Sequence, residues 1–296
     1  MPSPWALGGA YLGCVLIWGT TWAAIRFSLE SFPPFLGAGL RFTLAAALLL
    51  AFARFRGVPL GREPREWPLW WINGLLSFVA TYGIVYWAEQ WVPSGLASVL
   101  FATFPLFVAV LAHFVLPGER LGPLGTGGVV LGFVGVAVIF SEDLAALGGA
   151  EMSLAAVVML LSPVAAALGS VAAKRWGRGL PALSLSGPPM AVGALGLGAL
   201  GALTERSAVW PANPAWQPTG ASLAAVLYLG VVGSAVVFGL YFWLLQHLAA
   251  TRVSLIAYLA PVVAVAVGTL FLGEPLTPRL VLGAVVVLLG TALASR

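Results

Sequence analysis

Phe78, Tyr82, Tyr86 and Glu89 stand at i, i+4, i+8 and i+11, a spacing that places all four on one face of an α-helix. Rings supply apolar area, hydroxyls fix orientation, and a carboxylate can take a charge or a proton, so this face suits a pocket for an amphipathic small molecule. Packing against a neighbouring helix would use the same stripe. Arg41 lies about seven residues into another apolar stretch, roughly 10 Å deep at 1.5 Å per residue. A charge at that depth must face protein and find a partner. Glu89 is the expected partner, and Arg41 either ties helix ends together or receives a substrate carboxylate. Trp18, Thr21 and Trp22 fall midway along a third apolar stretch, where they line a pathway or pack against protein. Tyr241 and Tyr258 are weaker pocket candidates, and Arg26 and Glu30, four residues apart, read as a local ion pair. His113 and His247 are solitary. There is no HExxH, GxSxG, phosphate loop or paired Asp in an apolar stretch, so neither enzymatic chemistry nor a metal or other cofactor is expected. The one cysteine, Cys14, rules out an internal disulfide.

These residues need elements to hold them, and composition says what kind. The 296-residue chain is 60% hydrophobic and 8% charged, against about 25% charged in a soluble domain. Too few charges remain to cover a globule in water, so most of the surface must meet a lipid bilayer. Charges, prolines and glycine clusters punctuate ten apolar stretches: 5–29, 34–55, 68–91, 93–116, 123–140, 152–173, 181–203, 222–248, 251–272 and 277–294. The first is too long for a cleavable signal and is expected to stay as a helix. With the N-terminus inside, Arg54, Arg56, Arg62, Arg65, Arg120, Lys174, Arg175, Arg178, Arg252 and Arg296 fall on the inner side. Only Arg206 and Arg279 then lie outside. The positive-inside rule therefore puts both termini in the cytoplasm. The net charge of +4 belongs to this topology, and no basic face for nucleic acid is present.

The chain also repeats itself. Moved forward 156 residues without a gap, residues 74–105 bring Gly74 onto Gly230, Gly83 onto Gly239, Trp87 onto Trp243, Gln90 onto Gln246, Ser98 onto Ser254 and Pro105 onto Pro261. After one deletion, Gly118-Glu119 matches Gly273-Glu274, and Gly128 and Gly135 match Gly283 and Gly290. Two halves, 1–148 and 149–296, each with five crossings, must enter the bilayer from opposite sides. The expected fold is therefore all-α and integral to the membrane, with ten transmembrane helices as two inverted five-helix repeats. Pro105 and Pro261 are expected to kink the fourth and ninth helices and let the halves move. Glu119 and Glu274 each precede a helix start and suit its positive end. Gly125, Gly128, Gly132 and Gly135 form a small-residue stripe for packing within the chain or for a dimer face. A monomer satisfies the pattern as well as an oligomer does.

Several segments carry a resemblance: WGTTWAAIR in the first helix, LRFTLAA in the second, WVPSGLASVLFATFPLF across the third and fourth, and Gly118-Glu119 before a glycine-spaced fifth. VSLIAYLAPVVAV and LGEPLTP supply the second half. Together they resemble the drug/metabolite transporter superfamily in its ten-helix EamA-type branch, over almost the whole chain. The resemblance implies an inner-membrane carrier, an exporter of amino acids, other metabolites or drugs. The sugar-phosphate exchangers of the superfamily use intramembrane Lys and Arg, whereas this chain has one lysine, Lys174, at a helix end. That difference argues against a phosphorylated substrate. A lipid-carrier flippase and a non-transporting membrane scaffold remain alternatives.

Overall fold

The computed structural model describes residues 2–140, 149–209, 212–213, 216–254 and 256–294, except for the side chains of 251, 254, 258 and 291. The side chain of Tyr258, all of Arg296 and the expected end of the first half at 141–148 therefore lie outside the described residues. Ten helical segments of ten residues or more, two short helices (Arg206–Ala208 and Ala250–Ser254) and no strand occur among those described. Eight are long and apolar enough to cross a membrane: α1 (Pro4–Leu29), α2 (Pro34–Phe55), α3 (Glu66–Ala88), α4 (Ser94–Val115), α5 (Pro123–Phe140), α6 (Ala150–Trp176), α7 (Ala182–Thr204) and α8 (Gly220–His247). Beyond them lie two shorter apolar segments, α9 (Ile256–Leu272) and α10 (Pro278–Ala294).

Local chemistry sets the ends. Pro opens α1, α2, α5 and α10, where the missing N–H is no loss. Ser3 and Thr219 accept backbone N–H groups from Ala6 and Ser222 at the starts of α1 and α8. Gly118 and Gly273 sit at φ +85° and +64°, a left-handed turn that places the glutamate after each of them. The burial pattern is that of a protein dissolved in lipid. Large apolar side chains such as Leu195, Leu203 and Phe271 point outward, while Arg41, Asn73, Glu89 and many serines are buried.

Two spans depart from plain α-helix. In α3 the stretch Gly74–Ala80 is π-helical, and in α8 so is Val231–Val236. The two lie at equivalent places in the repeat. Phe78 lies inside the first of these stretches, while Tyr82, Tyr86 and Glu89 follow it in regular α-helix or at its end, so the widened turns fall before three of the four. In α4 the expected kink at Pro105 is a break: the helix stops at Phe101 and restarts at Phe104. Pro261 does lie inside α9.

Packing between the halves is reciprocal. Gly74 of α3 closes on Val192 of α7, and its twin Gly230 of α8 closes on Leu44 of α2. Glu274 accepts from Ser94 N (2.7 Å) and Gly95 N (2.8 Å) at the start of α4, and Glu119 accepts from Ala250 N (3.2 Å) at the start of the short helix Ala250–Ser254 that precedes α9. Each glutamate therefore caps a helix of the opposite half, not the helix that comes after it in sequence. Arg26 donates to the carbonyls of Glu89 and Gln90 at the end of α3. Lys174, at the corresponding end of α6, donates to the carbonyls of Leu245 and Leu248. Among the described residues Arg26 makes no ion pair with Glu30, because its guanidinium satisfies orphan helix-end carbonyls instead. The glycine stripe of α5 is used within the chain: Gly128 and Gly135 meet the backbone of α10 near Ala294 and Val287, and Gly290 meets that of Gly132.

Candidate functional site

A cavity lies between α1, α3 and α4 of the first half and α6, α8 and α9 of the second. Its walls are related residue by residue. On α3 and α8, Tyr82 and Val85 answer to Phe238 and Tyr241, 156 positions on. On α4 and α9, Phe101 and Phe104 answer to Ala257 and Ala260. On α1 and α6, Trp18 and Trp22 answer to Ala166 and Ser170, 148 positions on, the same shift that relates Arg26 to Lys174. Among the described residues no Asp, Glu, Lys or Arg lines it.

Of the residues singled out in sequence, Trp18, Thr21, Trp22, Tyr82 and Tyr241 line this cavity, as does Pro261. Trp18 packs edgewise on Phe238 (5.3 Å between centroids) and against Tyr241 (5.2 Å). Phe78 is buried behind the wall between Phe42 and Phe238. Tyr86 is fully buried without reaching the cavity. Pro105 sits at the break in α4, one residue past the lining residue Phe104.

Arg41 is fully buried, and its partner is not Glu89. Its Nε donates to Ser234 Oγ and its Nη2 to Gly233 O, both at 2.7 Å, in the π-helical turn of α8. The guanidinium also lies 4.7 Å from the centre of the Tyr82 ring and 5.1 Å from that of Phe42. The wider turns of a π-helix leave a carbonyl free to accept, which draws the arginine across to the other half. Glu89 closes the end of α3 with 0% exposure, and neither carboxylate oxygen has a hydrogen-bond partner among the described residues. Arg41 Nη1 and the Tyr86 hydroxyl are likewise unpartnered. The charges that act on Glu89 are those of Glu274, Arg26 and Arg41.

Sequence reading missed Ser77, Thr81, Ser98, Phe101, Ser170, Phe238 and Phe242, all of which line the cavity. A signal was available for two of them: Phe238 and Phe242 fall on Tyr82 and Tyr86 when the duplicated stretch is moved by 156.

Apolar spans gathered around a solute-sized interior define a multi-pass membrane protein. The model of the EamA-like transporter family matches residues 5–141 and again 153–296. The inner membrane transporter YedA of Escherichia coli K12 is 34% identical over 279 residues, covering 92% of this chain and 84% of its own. The transporter YoaV of Bacillus subtilis is 27% identical over 279 residues, covering 94% and 93%. A solved crystal structure, 25% identical, matches 99% of this chain and 98% of its own with a TM-score of 0.72. The chain belongs to the EamA-like transporter family and is a membrane transporter.

Proposed function

We propose that the protein is an alternating-access carrier that exports small amphipathic solutes, amino acids or drugs among them, across the inner membrane. In this reading all ten helical segments cross the bilayer as two inverted five-helix repeats, 1–148 and 149–296, with both termini in the cytoplasm. The observation that carries it is the cavity wall, drawn twin by twin from corresponding spans of the two halves. Two copies with an odd number of crossings face opposite ways, so a rocking motion that exchanges their conformations moves the opening from one side to the other. The reciprocal caps and glycine contacts support the same pseudo-two-fold relation. Trp18, Thr21, Trp22, Tyr82 and Tyr241 would touch the solute. The break before Pro105 and the proline inside α9 supply compliance where α4 and α9 meet the cavity. Glu89 is the group for proton coupling, since an ionised carboxylate is costly to bury without donors.

Counterflow in proteoliposomes, with a panel of amino acids and aromatic drugs, tests this reading. At least one solute should exchange, and Tyr82→Ala and Trp22→Ala should each reduce that exchange several-fold. No exchange of any panel member would leave the scaffold reading ahead. Single-cysteine labelling at the two ends of the chain should report the cytoplasmic side for both; opposite sides would remove the ten-span topology.

One observation favours the flippase alternative. An apolar crevice runs between α4, α9 and α10, lined by Leu96, Val99, Val265 and Leu280 among others, and it shares Pro261 with the central cavity. A lipid tail fits such a lining. Transbilayer movement of a fluorescent lipid by reconstituted protein would decide for that reading.

A further inference from the structure

The polar groups of the cavity are unevenly divided between donors and acceptors. Five lining hydroxyls already give their protons to the protein. Thr21 donates to Trp18 O (2.8 Å), Ser77 to Asn73 Oδ1 (2.5 Å), Thr81 to Leu76 O (2.8 Å), Ser98 to Gly95 O (2.6 Å) and Tyr241 to Ser170 Oγ (2.9 Å). What each of these oxygens has left is a lone pair, which can only accept. Proline adds to the imbalance. Pro105 and Pro261 have no N–H, so the carbonyls four residues earlier, on Phe101 and Ala257, lose their helical partner. Those two residues are twins in the repeat, and both line the cavity. The donors that remain are the indole N–H groups of Trp18, which has no partner among the described residues, and Trp22, and the hydroxyl protons of Ser170 and Tyr82. Acceptors therefore outnumber donors, and they are set among ring faces, including those of Trp22, Phe101 and Phe238, that carry negative charge density. A carboxylate brought here meets oxygen lone pairs and no cation in the wall, because Arg41 is held by α8 through Nε and Nη2 behind the Tyr82 ring and does not line the cavity. An N–H group meets acceptors and π faces.

We propose that the cavity selects arylalkyl amines: solutes with an aromatic ring that present N–H donors and no carboxylate. This rests on the carrier reading and narrows it, since among amphipathic metabolites it sets amines ahead of aromatic acids. Backbone carbonyls freed by twin prolines give the site two acceptors that only a change of the prolines themselves removes.

The test uses 2-phenylethylamine and 3-phenylpropionate, matched in ring and tether, titrated by calorimetry into the full chain in lipid nanodiscs. The amine should bind at least ten-fold more tightly, a difference of about 1.4 kcal/mol. Pro261→Ala returns an N–H to α9 and re-engages the Ala257 carbonyl, and it should weaken amine binding at least three-fold. Ser98→Ala removes an acceptor without touching the helix ladder, should do the same, and keeps the test open if Pro261→Ala does not fold. Equal or tighter binding of 3-phenylpropionate, binding of neither probe, or amine affinity unmoved in both variants overturns the proposal. Counterflow of each labelled probe separates the two levels. Carriage of the acid without the amine removes the amine assignment and leaves the carrier reading standing. No flux of either probe, or of any solute in the wider panel, removes both.

Discussion

Replacing Gly290 by Ala should destabilise the protein, although in most helices the same change would help. A β-carbon at Gly290 would sit 2.3 Å from Gly132 N and 2.6 Å from Gly132 Cα. Comfortable contact between heavy atoms is about 3.5–4.0 Å, so α5 and α10 must part by about 1 Å along their glycine seam. Both atoms struck are backbone and cannot swing aside. Overpacking of this kind costs about 1–3 kcal/mol, while exchanging Gly for Ala in a helix interior gains about 0.5–1 kcal/mol. The steric cost wins. Gly127 supplies the control: it is exposed on α5 and has nothing within 4 Å of the added carbon, so Gly127→Ala keeps the propensity gain alone. The two variants should differ by about 1–3 kcal/mol in reversible unfolding in one detergent, with Gly290→Ala the weaker. If Gly290→Ala proves as stable as Gly127→Ala, the close seam between α5 and α10 is wrong.

The polar contacts give three further outcomes. Arg41→Met removes both bonds from α2 to the π-turn of α8 and should cost at least about 1.5 kcal/mol, the low end for one hydrogen bond to a charged group; Arg41→Lys should recover only part of it. An unfolding midpoint unchanged in Arg41→Met would refute that link. Glu274→Ala strips the acceptor from Ser94 N and Gly95 N, so amide exchange at the start of α4 should quicken and stability fall by about 0.5–2 kcal/mol; protection as in the parent chain would count against the cap. Glu89→Gln should abolish any dependence of flux on a pH gradient while sparing counterflow, and a gradient response that persists would take proton coupling away from Glu89.

Sequence made visible what depends on local spacing and on gross composition. Too few charges, ten apolar stretches and a constant offset of 156 led to a bundle of apolar helices, and the glycine stripe led to the close contact of α5. The candidates on α1, Trp18, Thr21 and Trp22, came together with Tyr82 and Tyr241 around one cavity. What escaped was whatever depends on a change of helix type or on distant chain. Nothing in GLLSFVA announces a π-turn, nor does its counterpart on α8 announce the turn that receives Arg41. Opposite charges suggested Arg41 with Glu89 and Arg26 with Glu30, but Arg26 went to two backbone carbonyls and Arg41 to one carbonyl and the Ser234 hydroxyl, and backbone carbonyls are acceptors that every residue carries and that no side-chain pattern marks. Glu119 and Glu274 were recognised as helix-end carboxylates. That each would serve the other half required the three-dimensional crossing of the loops.

The paired walls of the cavity are equivalent in position and unequal in bulk. Trp18, Trp22, Phe101 and Phe104 in the first half stand where the second half has Ala166, Ser170, Ala257 and Ala260. A machine made of two interchangeable parts would rest with equal ease in either pose. Here the heavy side chains are unequally shared, with Phe238, Tyr241 and Phe242 alone among those of the second half, so in the carrier reading an exchange of poses does not restore the same set of contacts. One pose must therefore be the more comfortable, and the lopsided furnishing of the interior is itself a means by which a duplicated protein acquires a preferred direction of rest.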